Sequence, residues 1–137
     1  MMEYVFETEM MTRDYECDLQ GIVNNAVYQN YLEHARHEFL HDVGLDFAEL
    51  CAEGIDAVVT RIEIDYKFPL RPRDVFVVKV GMSKQGRLRF VFDQAIVRKS
   101  DQKLIIEARV TGVLTRAGRP VAPDVFTEVF AAKGWTF

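Results

Sequence analysis

The sequence predicts an α+β domain in which one long helix lies across a curved antiparallel sheet. Apolar residues recur at three- and four-residue steps over residues 25–43, and at close to every second residue from residue 56 onward. The first period is typical of an amphipathic helix and the second of strands. Because four such segments follow one another with short turns between them, we expect antiparallel hairpins.

The chain is predicted to begin with a strand and then form its long helix. Residues 2–12 mix aromatic, β-branched and acidic residues in rough alternation, as strands do. The helix should run from about Asn25 to Val43, where Gly44 is the expected stop signal. Its apolar stripe consists of Tyr28, Tyr31, Leu32, Ala35, Phe39 and Val43.

The remaining elements are short and are separated by turn signals. Pro69 and Pro72 end the first strand after the helices. The strands contain nearly continuous apolar runs, so we expect large apolar side chains on the sheet face away from the helix, and hence a homodimer or homotetramer. The predicted elements are a helical turn at 46–53, strands at 56–68, 75–82, 88–97 and 104–115, and a short helix at 123–132.

Length and composition indicate one globular domain spanning residues 1–137. The chain is 49% hydrophobic and 28% charged, which is typical of a folded protein that buries a core without disulfides or metal. We expect no membrane span, since no apolar run approaches the ~20 residues that one needs. The N-terminus lacks the features of a secretory signal, so we expect a cytoplasmic protein with Cys17 and Cys51 reduced.

The net charge of −4 conceals an uneven distribution. Residues 1–59 contain thirteen Asp and Glu against two basic residues, whereas residues 60–120 contain fourteen Lys and Arg against six acidic residues. A basic half suits either nucleic acid or a small polyphosphate ligand. The basic residues form no compact run, so we do not expect nucleic-acid binding.

The loop before the long helix places a carboxylate next to a helix N-terminus. Asp18 lies three positions before Gly21, and the helix begins at about Asn24 or Asn25. The first turn of a helix has free N–H donors and partial positive charge, so it can hold a developing oxyanion. A base or nucleophile beside it is the minimum for acyl transfer or hydrolysis, although a loop Asp is also a common turn residue.

The loop and the helix together resemble a known signature. The residues that carry the resemblance are Asp18-Leu19-Gln20-Gly21-Ile22-Val23, then Asn25, Tyr28, Tyr31, Glu33, Ala35 and Arg36. They are similar to the 4-hydroxybenzoyl-CoA thioesterase-like branch of the hotdog-fold acyl-CoA thioesterases. The resemblance implies a hotdog fold, with a long central helix wrapped by a curved antiparallel five-stranded sheet. It also implies dimers that join their sheets and place the active sites at the interface.

The resemblance implies hydrolysis of an acyl-CoA or acyl-carrier-protein thioester to free acid and thiol. Asp18 would be the catalytic carboxylate, acting as nucleophile or as general base. The backbone N–H of Asn25 would polarise the thioester carbonyl, and no metal or organic cofactor is expected. Many relatives carry two acidic residues spaced two apart in this loop, where this chain has Glu16-Cys17 in place of the earlier one. Position 25 is often His or Tyr.

We expect six residues to contact substrate. Gly21 would allow close passage of the substrate, and Tyr28 either shapes the acyl pocket or packs in the core. Positively charged turn residues would meet the phosphates of CoA. Thr60 is a candidate for the acyl pocket because of its position in the strand that follows the helix. The candidate set is Gly21, Val23, Tyr28, Thr60, Lys67 and Arg71.

Other chemical interpretations are weaker. Glu33 and Arg36 lie outside the apolar stripe and are predicted to form an ion pair, with Glu33 as the reserve catalytic carboxylate. The three histidines of the helix could chelate a metal, but they lie opposite the stripe and suit an exposed polar face. Cys17 has no base fixed near it by sequence. The alternative function is a non-catalytic acyl-CoA-binding module, which would not need Asp18 and would typically carry an appended domain.

Overall fold

The structure is a computed structural model that describes residues 4–137, which form an antiparallel sheet, three α-helices and one short 3-10 helix. The helices are α1 (Asn25–Asp42), α2 (Phe47–Ala52) and α3 (Asp124–Lys133), with the 3-10 helix at Asp14–Glu16. The strands are β1 (Phe6–Met11), β2 (Ile55–Tyr66), β3 (Val75–Gln85), β4 (Arg89–Arg98), β5 (Leu104–Arg116) and β6 (Arg119–Val121).

The predicted α+β architecture is confirmed, including the long helix and the four strands that follow it. The prediction of a first strand over residues 2–12 agrees with β1, except that residues 2 and 3 lie outside the described residues. The five-stranded prediction missed β6, a three-residue strand after a tight turn. A strand of three residues with Pro120 in its middle is too short to show an alternating pattern in the sequence.

The sheet has the strand order β1-β3-β4-β5-β2, and every pairing is antiparallel. The short strand β6 pairs with the end of β5, beyond the point at which β4 begins. The two edges of the main sheet are therefore β1 and β2. In residues 4–137 no helix is both long and apolar enough to cross a membrane, and Cys17 and Cys51 are free thiols.

Helix α1 packs across the inner face of the sheet, against β1 and β3. Phe39 shows why this packing is stable: its ring is fully buried and lies against Phe6, Phe92, Phe130 and Trp135. Burying an aromatic side chain of this size contributes about 2–3 kcal/mol from its apolar area. The helix buries one continuous face, formed by Tyr28, Tyr31, Leu32, Ala35, Arg36, Phe39 and Leu40.

The outer face of the sheet carries a row of charged side chains beside a row of apolar ones, so the prediction of large apolar side chains there holds only in part. Residues paired across a ladder point to the same side, so Glu7, Lys79, Ala95, Glu107 and Asp65 form one row on that face. In the neighbouring row, Val77, Val97 and Leu104 pair across β3, β4 and β5, and each of the three is partly buried. The apolar runs of the sequence therefore indicated part of the outer face, but not a wholly apolar one.

A run of exposed apolar side chains lies at the β2 edge. Ile62 and Tyr66 point toward the inner face, as their partners Val110 and Ile106 do, but helix α1 leaves them 40% and 48% exposed. Together with the neighbouring exposed residues they form an apolar strip, which we call the β2 strip. It consists of Val59, Ile62, Tyr66 and Phe68, while the exposed Val58 pairs with Val113 on the outer face.

Candidate active site

The loop between the 3-10 helix and α1 is closed on itself by backbone hydrogen bonds. The N–H of Asp18 donates to the carbonyl of Ile22 at 2.9 Å, and the N–H of Asn24 donates to the carbonyl of Glu16 at 3.0 Å. The chain reverses at Gly21, whose φ of +73° is a left-handed conformation that glycine adopts without strain. The loop thus returns directly to the start of α1.

Asp18 lies at the exposed tip of this loop. Its Oδ1 accepts the N–H of Gln20 at 2.8 Å and faces the N–H of Ile22 at 3.5 Å. These contacts are typical of an Asp that stabilises a turn, so Asp18 has a structural role in the loop. Within residues 4–137 no hydrogen bond engages Oδ2, which leaves one carboxylate oxygen available for chemistry.

The first turn of α1 has a free donor at Asn25. Asn24 caps the helix, because its Oδ1 accepts the N–H of Ala26 at 3.1 Å and its carbonyl accepts the N–H of Val27 at 2.9 Å. The N–H of Asn25 donates to nothing within the described residues. Capping therefore uses the neighbouring donors and leaves the Asn25 N–H open to a ligand.

A cleft of about 200 Å³ lies beside Asn25. Its walls are tied together by two tyrosines: the Tyr28 hydroxyl accepts the N–H of Leu70 at 2.9 Å, and the Tyr66 hydroxyl donates to the Asn25 carbonyl at 3.3 Å. The lining is largely apolar, as a pocket for a hydrocarbon or aromatic group would be. It is formed by Ile22, Val23, Asn25, Tyr28, Tyr66, Lys67, Phe68 and Pro69.

The structure brings some of the predicted site residues together. Val23, Tyr28 and Lys67 line the cleft with Asn25, and Gly21 lies in the adjoining loop. Tyr28 serves both interpretations, because its ring lines the cleft while it is buried in the core. Burial raises the pKa of Tyr28, so its hydroxyl stays neutral.

Besides Gly21, three predicted site residues lie outside that lining. Asp18 is at the loop tip, and Arg71 is an exposed turn residue whose N–H donates to Asp74 Oδ2 at 2.9 Å. Thr60 lies at the irregularity in the pairing of β2 with β5, where its hydroxyl donates to the Thr111 carbonyl at 3.2 Å.

Four lining residues were not predicted from the sequence: Ile22, Tyr66, Phe68 and Pro69. Three of them were already assigned to a strand and its end, so their apolar character suggested core packing. The useful signal was the Tyr66–Pro69 segment, where large apolar residues continue up to a proline at which the strand must end.

The predicted ion pair between Glu33 and Arg36 is wrong. Arg36 is buried, and its Nη1 donates to Gln94 Oε1 at 3.1 Å, whereas Glu33 is exposed on the helix. Arg36 lies four residues from both Leu32 and Leu40, so it shares their buried face. Burial lowers the pKa of the Arg36 guanidinium, and the charge of Glu33 acts in the opposite direction.

The thiol and the histidines gain no catalytic support from their surroundings. Burial raises the pKa of Cys17, as do the charges of Asp14, Glu16 and Asp18, so its reactive thiolate form is disfavoured. His34 faces only Glu38, at 3.9 Å, with both side chains half exposed. The part of the chain that the structure describes contains no group of three or more side chains arranged to hold a metal ion.

Comparison of the sequence with known proteins identifies relatives that are named as thioesterases. The chain is 40% identical over 121 residues to acyl-acyl carrier protein thioesterase ATL3, chloroplastic, of Arabidopsis thaliana, covering 88% of this chain and 64% of the relative. It is 30% identical over 95 residues to the acyl-CoA thioester hydrolase YbgC of Escherichia coli O157:H7, covering 69% of this chain and 70% of the relative. The chain thus spans less than two thirds of the length of ATL3.

Solved structures share the fold. A hypothetical protein from Aquifex aeolicus superposes with a TM-score of 0.84 at 28% identity, covering 91% of this chain and 98% of that one. A 1,4-dihydroxy-2-naphthoyl-CoA thioesterase from Synechocystis gives 0.86 at 17% identity, covering 92% and 95%, and this likeness shows the fold alone. These similarities confirm the predicted hotdog fold. Residues 12–133 also match the family model of the thioesterase-like superfamily, and the chain belongs to that family.

Proposed function

We propose that the protein hydrolyses an acyl thioester to a free acid and a thiol. The observation that carries this proposal is the unpaired N–H of Asn25, which opens on an apolar cleft at the start of α1. The relatives named as thioesterases support it at the level of the family. The same names give no support to the alternative, a non-catalytic acyl-CoA-binding module.

In the proposed site the Asn25 N–H polarises the thioester carbonyl. As the carbonyl carbon becomes tetrahedral, its oxygen gains negative charge, and a hydrogen bond to that oxygen is stronger in the transition state than in the ground state. The partial positive charge at the helix N-terminus acts in the same direction. The exposed side chain of Asn25 is not required for this role, since the backbone supplies the donor.

Asp18 supplies the base or the nucleophile. As a base, Oδ2 would take a proton from water as the water oxygen attacks the carbonyl carbon, and the tetrahedral intermediate would then expel the thiolate. As a nucleophile, Oδ2 would attack the carbonyl carbon itself and expel the thiolate, giving an anhydride that water then hydrolyses. Both routes consume one water, yield the same acid and thiol, and require no cofactor.

The site is completed by a second copy of the chain in this proposal. Asp18 does not line the cleft within one chain, so substrate must contact it from outside the cleft. The β2 strip lies on a sheet edge with unpaired backbone groups, and large exposed apolar strips of this kind are typical of subunit contacts. We therefore propose a homodimer or homotetramer with its active sites at the interface.

The thiol carrier is CoA or an acyl-carrier protein, and the relatives are named for both. Two lysines are placed to attract the phosphates that both carriers share. Lys67 lies in the cleft lining, and Nζ of Lys103 lies 4.0 Å from the centre of the Phe68 ring, another lining residue. Gly21, Thr60 and Arg71 remain predicted substrate contacts.

A thiol-release assay tests the proposed function. Purified protein would be supplied with aryl-, short-chain and long-chain acyl-CoA and with the matching acyl-carrier-protein thioesters. We expect turnover of at least one substrate class, and a loss of about 100-fold or more in Asp18→Asn. A folded wild type that binds these thioesters and hydrolyses none of them would contradict the proposal and favour the binding module.

A further inference from the structure

A side-chain hydrogen bond connects the Asp18 loop to the buried face of α1. Oε1 of Glu16 accepts the hydroxyl proton of Tyr31 at 2.7 Å and the N–H of Arg13 at 2.7 Å. The Tyr31 ring is almost fully buried and packs on Phe76, with ring centres 4.7 Å apart. The side chain of Glu16 is only 11% exposed, so this contact is largely shielded from water.

Glu16 is also joined to the start of the helix. Its carbonyl accepts the N–H of Asn24, the residue that caps α1 immediately before Asn25. Along the chain, Glu16 lies two positions before Asp18. One residue therefore lies next to both catalytic candidates, and its carboxylate fixes it to the body of the helix through Tyr31.

The hydrogen bond is available over the whole working pH range. Burial raises the pKa of Tyr31, and so does the hydrogen bond to the Glu16 carboxylate, so the tyrosine stays protonated and acts as a donor. The Arg13 guanidinium lies 3.4 Å from Oε2 of Glu16, on the other oxygen of the same carboxylate. A charged acceptor with a neutral donor makes a stronger hydrogen bond than two neutral groups do.

We propose that Glu16 and Tyr31 are positioning residues that set the placement of the Asp18 carboxylate relative to the Asn25 N–H. This inference rests on the proposed function, in which those two groups act on one carbonyl. A displacement of about 1 Å between reacting groups is enough to reduce the rate by up to 100-fold. The hydrogen bonds of Asp18 all go to Gln20, Gly21 and Ile22 within the same loop, so the position of the loop as a whole depends on its base at Glu16 and Asn24.

The test is Tyr31→Phe, made in wild type and in Asp18→Asn, with Tyr15→Phe as the matched control. Tyr15 belongs to the same segment, but its side chain is 81% exposed and its hydroxyl makes no hydrogen bond within residues 4–137. We expect Tyr31→Phe to lower kcat about tenfold with KM changed less than about twofold. Tyr15→Phe should match wild type, and Tyr31→Phe should not reduce the residual rate of Asp18→Asn further.

A second pair of variants keeps the test independent of the folding of Tyr31→Phe. Glu16→Gln retains an oxygen that accepts both hydrogen bonds and should keep most of kcat, whereas Glu16→Ala should lose as much as Tyr31→Phe. Equal losses in Glu16→Gln and Glu16→Ala would overturn the proposal. So would a Tyr31→Phe effect of the same size in wild type and in Asp18→Asn, because that would be a general structural effect.

The two proposals fail differently. If Asp18→Asn keeps the wild-type rate, the catalytic assignment of Asp18 is wrong and the positioning role falls with it. If Asp18→Asn is inactive while Tyr31→Phe keeps the wild-type kcat, the positioning role alone is wrong.

Discussion

The two sides of the sheet's inner face differ in how completely they are covered. Under α1 the inward side chains of β3 and β4, such as Phe76, Val78 and Ile96, are fully buried. At the β2 edge the inward side chains of Ile62 and Tyr66 are 40% and 48% exposed. The comparison shows that the inner face is fully packed over β3, β4 and β5, while its β2 edge is left open for a ligand or a second chain.

The candidate site lies at the boundary between the packed region and the open β2 edge. Asn25 begins the helix that covers the packed region. The hydroxyl of Tyr66, at the end of β2, donates a hydrogen bond to the Asn25 carbonyl. A helix of 18 residues is about 27 Å long and only about 10 Å wide, so it cannot cover five strands. The uncovered strip beside the helix N-terminus follows from this geometry.

The largest effect is expected from removing one large side chain from the packed region, for comparison with one removed from the β2 edge. Phe39→Ala should lower the free energy of unfolding by about 3–5 kcal/mol, because the fully buried ring contacts four other aromatic rings. Ile62→Ala should cost less than half as much, since its side chain is already partly in water. Urea denaturation at low protein concentration measures the free energy of unfolding of both variants. Equal losses would show that the β2 edge is packed as tightly as the region under α1.

A charge on the β2 strip tests whether a second copy covers it. Ile62→Asp should convert the proposed assembly to monomers and abolish most thiol release, because a carboxylate buried in an apolar contact costs several kcal/mol. Glu63→Gln is the matched control, since Glu63 is the next residue on the same strand and faces the charged side. Light scattering coupled to size-exclusion chromatography gives the mass. A wild type that is monomeric and fully active would contradict the interface proposal.

A smaller effect is expected at the helix cap. Asn24→Ala removes the acceptor of the Ala26 N–H and should lower stability by about 1 kcal/mol. Asn24→Ser restores a capping oxygen and should recover most of that loss. Thermal unfolding followed by circular dichroism measures the series. Equal destabilisation by both variants would mean that the cap does not hold this end of α1.

Much of the fold could be predicted from periodicity. The long helix was predicted to begin at Asn25, as it does, and to end at Val43, one residue beyond its observed end at Asp42. Asn24 and Gly44 mark these ends in the sequence by local chemistry that tertiary packing did not override. The pattern of the outer face could not be predicted, since which charged and apolar side chains lie side by side there depends on strand register.

The site was predictable in part for the same reason. Asp18 and Asn25 are close in sequence, so a motif can indicate them, whereas Tyr66 and Phe68 reach the cleft only through pairing of β2 with β5. The burial of Arg36 was missed because its partner, Gln94, is 58 residues away. Long-range side-chain partners of this kind leave no local pattern.

The central claim is that the loop carboxylate, and not the helix carboxylate, performs the chemistry. The most direct measurement is kcat for thioester hydrolysis by Asp18→Asn and Glu33→Gln, which make the same change from acid to amide. The account predicts a loss of about 100-fold or more for Asp18→Asn and a kcat within about twofold of wild type for Glu33→Gln. An inactive Glu33→Gln beside an active Asp18→Asn would contradict it.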